Sequence, residues 1–364
     1  MSHQRSILLY PFSLIYGFLT SIRNFLYNAE ILKSHEFCIP LICVGNLTIG
    51  GTGKTPHTEY LAGLLKQNFR VAILSRGYKR ISSGFRFADS NSKVSDIGDE
   101  PMQIFRKFPD ITIAVDRNRV RGVEKILKEK PETAVIILDD GFQHRKITPG
   151  YSILLSDFDR LMIRDHLLPY GNLRESINNM DRADIILITK SPDDISPIQR
   201  RLIVKEVRKA PYQNLYFTSV VYKDPVPVFE NSLHGVIPLS LNDSGSCGIV
   251  LVTGIANPKT FYEYLGKSFN EIIHLRFADH HIFTLNDYNK ISNAWASLRS
   301  PQKYVITTEK DAVRLREITN FTEPLKSSFY YIPVGVKFLN DDKEEFDNMI
   351  VDYVRKNKQN NRVS

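Results

Sequence analysis

Cysteine is scarce. The 364-residue chain has three, Cys38, Cys43 and Cys247, with no CxxC pair and no metal-ligand spacing. That argues against a disulfide scaffold or a zinc site and fits reduced thiols in a cytosolic setting. Internal repeats are absent, and low complexity is confined to the polar tail. Long apolar runs are missing too. The charge-free stretch at residues 6–22, SILLYPFSLIYGFLTSI, is 17 residues long and interrupted by Pro11 and Gly17. A membrane span needs ~20 apolar residues, and no small-residue cleavage site follows to mark a signal peptide. Three readings stay open: an interfacial helix, a buried core helix or a span. Tyr10, Tyr16 and Tyr27, with Arg5 and Arg23 as flanks, favour the interface.

What is present is the composition of a soluble globular protein, 42% hydrophobic and 24% charged. The length exceeds one ordinary core, so two domains are expected. A net charge of +8 suggests an anionic partner or surface.

The chain is organised around Cys43–Thr55. An apolar run, Ile39 to Val44, reads as a buried strand, then a glycine-rich turn, then a helix from His57 to Lys66. Strand, loop and helix in that order make a phosphate-binding P-loop. Gly50, Gly51 and Gly53 let successive N–H groups face one anion, so Thr48, Ile49, Gly50, Gly51, Thr52, Gly53, Lys54 and Thr55 form the expected nucleotide cradle. Lys54 would reach the β- and γ-phosphates, and Thr55 would place its hydroxyl on Mg²⁺. The usual first glycine is Thr48 here.

A second signal is Ala134–Arg145, an apolar strand ending in Asp139-Asp140, 85 residues after Lys54. An acidic pair in that place is a Walker B pattern, whose aspartate holds Mg²⁺; the residues leave open which of the two does so. Gln143 and His144 lie just past the strand. Val71 to Leu74 leads into the basic loop Ser75–Arg80, at the kind of strand end where open α/β sheets bind ligands. Asp96, Asp99 and Glu100 crowd a loop beside Gly98, as caps or as a base or metal carboxylate facing the P-loop. The segment Ile163–Ser176 mixes basic and apolar residues with Pro and Gly and suits an amphipathic anionic ligand. After residue 215 come strands at 249–253, 272–275, 304–307 and 330–338, with helices near 258–266, 286–298 and 343–356, and Trp295 in the packing. There Asp279-His280-His281 pairs a carboxylate with two imidazoles, and Thr307 or Thr308 caps a helix or meets the cleft.

Taken in order, TIGGTGKTP, LSRGY, GDEP, LDDGFQHR, LLPYGNLRE, DHH and TTEKDA resemble the tetraacyldisaccharide 4′-kinase family over about residues 39–313. The family shares the Thr48 departure. The resemblance implies an α/β fold, in which a P-loop NTPase-type parallel sheet domain is joined to a smaller α/β domain by a two-stranded linker, Leu215–Tyr222 with Tyr330–Phe338. The expected division is 1–28 membrane-interface helix, 29–214 P-loop kinase domain, 215–340 smaller domain with linker strands, and 341–364 C-terminal helix and tail. It implies ATP and Mg²⁺ between the domains, and an acylated disaccharide lipid as acceptor at the cytoplasmic face of the inner membrane. No nucleic-acid partner is implied. The GDEP aspartate, Asp99, becomes the candidate base, supported by a histidine of the DHH run, His280 before His281. Thr55, Asp139 and Asp140 become metal candidates, and Arg76, Arg119, Gln143, His144, Arg174 and Glu175 substrate candidates. The residues alone also permit a membrane-docked P-loop NTPase acting as a switch or delivery factor, or a P-loop kinase or ligase for a soluble metabolite.

Overall fold

A computed structural model describes residues 7–207, 210–229, 247–318 and 321–360. Its strands are β1 (Leu41–Asn46), β2 (Val71–Ser75), β3 (Arg86–Phe87), β4 (Thr112–Val115), β5 (Val135–Asp139), β6 (Tyr151–Asp157), β7 (Ile185–Thr189), β8 (Asn214–Tyr222), β9 (Val226–Pro227), β10 (Cys247–Thr253), β11 (Glu271–Arg276), β12 (Gln302–Thr308), β13 (Phe329–Ile332) and β14 (Val334–Phe338). Its helices are α1 (Tyr10–Asn28), α2 (Lys54–Leu65), α3 (Val94–Ile97), α4 (Asp99–Lys107), α5 (Arg119–Glu129), α6 (Pro197–Val207), α7 (Lys259–Leu265), α8 (Leu285–Ser297), α9 (Glu309–Leu315) and α10 (Lys343–Asn360).

A nine-stranded sheet runs β14-β8-β7-β6-β1-β5-β2-β4-β3, parallel throughout except at its antiparallel edges β14 and β3. The period-2 alternation of strands sends successive side chains to opposite faces. Leu41 and Cys43 of β1 join the core against α5, while Ile42 and Val44 join the core against α2, α4 and α10. Helices cover both faces, so β1, β2, β5 and β7 are buried along their whole length and read as apolar runs. A second sheet, β11-β10-β12-β13-β9, is covered by α8 and α9 on one face and α7 on the other.

Two expectations need correcting. The last strand, expected in one piece over 330–338, is two. Pro333 separates β13, which pairs with β12 in the small sheet, from β14, which pairs antiparallel with β8 in the large one. A proline cannot donate to a ladder, so the chain changes sheets there. The linker strands thereby extend the large sheet. The C-terminal helix is no separate unit either: Phe346, Ile350 and Val354 of α10 are buried in the core of the P-loop unit.

The N-terminal stretch forms α1, with inverted amphipathicity. Its inward face is small or polar (Ser13, Gly17, Asn24, Tyr27), while Phe12, Leu14, Ile15, Phe18, Leu19 and Phe25 are exposed. That pattern excludes the buried core helix. None of the described helices is long and apolar enough to cross a membrane. Gly17 sets how closely α1 sits: a Cβ there would lie 2.6 Å from Leu167 Cδ1.

Candidate active site

The P-loop leaves β1 at Asn46, which is buried and ties the loop together. Its amide donates to Thr52 Oγ1 at 2.8 Å, and its carbonyl oxygen Oδ1 accepts from Lys54 Nζ at 3.2 Å. Gly50 and Gly53 have φ of +103° and +84°, so the turn needs residues without a Cβ at both. Thr48 stands where the usual pattern has glycine because the chain there is extended. It bridges to Leu173, flanked by Ile49 N–H to Asn172 O (2.8 Å) and Arg174 N–H to Leu47 O (2.7 Å). The LLPYGNLRE segment therefore runs antiparallel to the start of the P-loop, and buried Thr48 belongs to that pairing. Lys54 and Thr55 open α2, whose N-terminal dipole favours an anion.

Asp139 ends β5 beneath the loop. It accepts from Ser75 (3.0 Å) and Thr58 (3.3 Å), and burial together with the neighbouring Asp140 pushes its carboxyl up to about 6. Asp140 has φ of +50° and turns toward the P-loop, 3.6 Å from Lys54 Nζ and 3.1 Å from Arg174 Nη1. Burial works against its charge, but Lys54 and Arg174 hold its carboxyl below the usual range. The under-compensated charge of Asp139 beside Asp140, next to the Thr55 position, is a donor set that fits a hard dication.

Arg174 also donates to Gln143 Oε1 (3.3 Å), and Gln143 donates to Asn46 O (2.7 Å), so both line the loop. Arg76 is exposed at the end of β2. His144 Nε2 accepts from the Arg119 N–H at 3.4 Å, and burial plus Arg119 push the imidazole down to about 4. Two substrate candidates point elsewhere. Arg119 is buried and donates to the main-chain oxygens of Asp116 and Asp139, bracing the strand end. Glu175 is 2% exposed, and its oxygens are taken by Asn24 (2.9 Å) and Arg182 (2.8 Å). It anchors α1 to the loop that carries Arg174, as does the 2.6 Å bond from Tyr16 Oη to Arg174 O.

A second group meets between the two units. Asp99 is the first residue of α4 and is buried. It contacts His280 Nδ1 at 2.5 Å and accepts from Arg314 Nε at 2.9 Å and from Arg314 Nη2. Burial opposes its charge, but the bonds from His280 and Arg314 hold its carboxyl well below the usual carboxylate range. His280, at φ +62°, is thus the imidazole that reaches Asp99. His281 instead bonds Asp287 (2.9 Å), within the capping box of α8. Lys310 Nζ lies 2.8 Å from Glu100 and 3.2 Å from His280 Nε2. With Lys310 donating to Nε2, the ring carries its proton on Nδ1, directed at Asp99. Asp99, Glu100 and His280 bring ligand-type atoms within 4.8 Å of one another, but Arg314 and Lys310 already supply the cations there.

Sequence reasoning missed Asn46, Ser75, Lys310 and Arg314, and also Arg160 and Lys190, which donate to the P-loop carbonyls of Ile49 (3.0 Å) and Gly51. Asn46 and Ser75 carried a signal in being polar residues at the ends of apolar strands. Thr308, expected as a cap, accepts from Asp311 N–H at 3.1 Å and opens the helix that carries Arg314.

The sequence model of a family described as Tetraacyldisaccharide-1-P 4′-kinase matches residues 5–355. Among curated proteins, the tetraacyldisaccharide 4′-kinase of Bacteroides thetaiotaomicron is 45% identical over 361 residues, spanning 98% of this chain and 95% of that one. That of Flavobacterium johnsoniae is 42% identical over 350 residues, 96% and 97% of the two chains. Among solved structures, LpxK from Aquifex aeolicus in complex with ATP has a TM-score of 0.72 at 27% identity, covering 95% of this chain and 98% of that one.

Proposed function

The chain belongs to the tetraacyldisaccharide 4′-kinase family, and from that premise we propose how its residues divide the work. The reaction moves the γ-phosphate of ATP to the 4′-hydroxyl of tetraacyldisaccharide 1-phosphate in lipid A synthesis. Phosphoryl transfer asks for placement and charge neutralisation more than for covalent catalysis. Lys54 and the loop amides hold the β- and γ-phosphates, with Asn46 keeping the lysine aligned. Thr55 and the Asp139–Asp140 pair would hold Mg²⁺, which when bound neutralises phosphate charge. Arg174, bonded to Asp140 and Gln143, is placed to meet the phosphates or the anionic lipid, and Arg76 and His144 are further candidates for that contact. Asp99 takes the 4′-hydroxyl proton, and His280 orients it.

The observation that carries this reading is Asp99 held at 2.5 Å from His280 between the units, in a P-loop protein whose acceptor is an alcohol. The exposed apolar face of α1 suits the lipid interface where an acylated substrate resides, and it supports the reading of a peripheral protein of the cytoplasmic leaflet. The test is Asp99→Asn measured at saturating lipid. Turnover should fall ~100-fold or more, as for loss of a general base, with ATP affinity retained. Lost nucleotide affinity with the turnover of bound complexes intact would make Asp99 a binding residue.

A further inference from the structure

Arg314 is used by none of these steps, yet it is held by two carboxylates, Asp99 and Asp311, where the two units meet. It lies on α9 of the smaller unit and is buried. Its Nε donates to Asp99 Oδ1 at 2.9 Å, its Nη2 to Asp99 Oδ2, and its Nη1 to Asp311 Oδ1 at 2.9 Å. Asp311 is fixed in turn, its Oδ2 accepting from Gly254 N–H (2.8 Å) and Thr308 Oγ1 (2.7 Å). A planar guanidinium gripped from behind presents a rigid fork to the carboxylate in front. Resting on the assignment of Asp99 as the base, we propose that Arg314 is a positioning residue. Backed by Asp311, it aims the Asp99 carboxylate at the acceptor hydroxyl.

Counting acceptor sites supports this. A carboxylate offers about four lone-pair directions. His280 and Arg314 Nη2 take two on Oδ2, and Arg314 Nε takes one on Oδ1. One direction on Oδ1 remains, and the fork decides where it points. The other charged groups facing Asp99 are Lys310 from α9 and Glu100 from its own helix. Asp279 lies behind, 3.8 Å from both His280 Nε2 and Lys310 Nζ. A carboxylate so heavily paired is a weak base. That is tolerable in phosphoryl transfer, where the attacking hydroxyl gives up its proton late and the reaction depends on alignment. The smaller unit thus contributes the orientation of the base, in addition to His280.

The experiment measures kcat, KM for ATP, thermal midpoint and the acid limb of the kcat–pH profile for Arg314→Gln, Arg314→Lys, Asp311→Asn and Asp99→Asn. Arg314→Gln should lower kcat ~100-fold, the scale of a misplaced catalytic group, with KM for ATP little changed. Its acid limb should move up by about one pH unit or more, because an opposing charge has been removed from a buried carboxylate. Arg314→Lys should keep the limb near that of the parent while still losing kcat, since a point charge does not reproduce the fork. Asp311→Asn should lower kcat with the limb in place. Parental kcat in Arg314→Gln, or a lost kcat with an unmoved limb, overturns the proposal. If Arg314→Gln fails to fold, parental kcat in both Arg314→Lys and Asp311→Asn overturns it. Parental turnover in Asp99→Asn would instead remove the base assignment, an outcome distinguishable from failure at Arg314 alone.

Discussion

Replacing Phe12, Phe18 and Phe25 together by serine should release the protein from lipid without unfolding it. The three side chains are 60%, 67% and 64% exposed on α1. Fully burying one such side chain is worth ~1.5–3 kcal/mol, so covering the exposed two-thirds gives ~1–2 each and ~3–6 for three. At tenfold per ~1.4 kcal/mol, partition should weaken by ~100-fold or more. Apolar insertion also predicts that parental binding survives high salt, which screens attraction to anionic headgroups. The assay is vesicle sedimentation with zwitterionic and anionic lipids, alongside thermal unfolding. Undiminished sedimentation of the triple variant at an unchanged melting midpoint would refute the reasoning and leave the exposed face without a lipid role.

Gly17→Leu should push α1 off Leu167, where a Cβ already meets Cδ1 at 2.6 Å, and cost ~1–3 kcal/mol of stability; the denaturation midpoint reads it. Lys107 bridges Glu59 (2.5 Å) and Glu309 (3.1 Å), joining the P-loop helix to α9. Lys107→Ala should destabilise by about 3 kcal/mol. Burial and then Glu309 already push Glu59 up to about 7, so the loss should be larger at pH 8 than at pH 5.5, where Glu59 protonates. Burial pushes His57 down to about 4, with Nδ1 2.7 Å from Gly53 O and Nε2 3.0 Å from Thr218 Oγ1. Between pH 6.5 and 4 the unfolded chain binds a proton that the folded one refuses, so stability falls as pH falls through that window, by up to about 3 kcal/mol. Urea titrations of His57→Gln should show a shallower fall there than the parent.

The parallel sheet was legible because its strands are buried on both faces and therefore read as unbroken apolar runs, each closed by a polar turn. The P-loop and the acidic pair sit at the ends of two such runs, so their partnership was legible as well. What escaped were contacts that depend on how the two units dock. Arg314 follows the TTEKDA motif by two residues, but nothing local says that its fork crosses to Asp99, 215 positions away. His280 and His281 are equivalent in sequence and separate only in space, where one meets Asp99 and the other a helix cap. Glu175 and Arg119 were substrate candidates through the family resemblance. Here each is buried against partners that a one-dimensional reading cannot see. Proline 333 was visible, yet its effect on the final strand required knowing that two sheets compete for that segment.

The most direct test of the whole account is transfer of label from γ-labelled ATP to tetraacyldisaccharide 1-phosphate in detergent with Mg²⁺, with the labelled position located on the product. The expected product is a lipid labelled at the 4′-hydroxyl, dependent on Mg²⁺ and abolished in a folded Lys54→Ala variant. Steady release of free phosphate without lipid, and no labelled lipid in its presence, would contradict it and describe a nucleotide-hydrolysing switch instead.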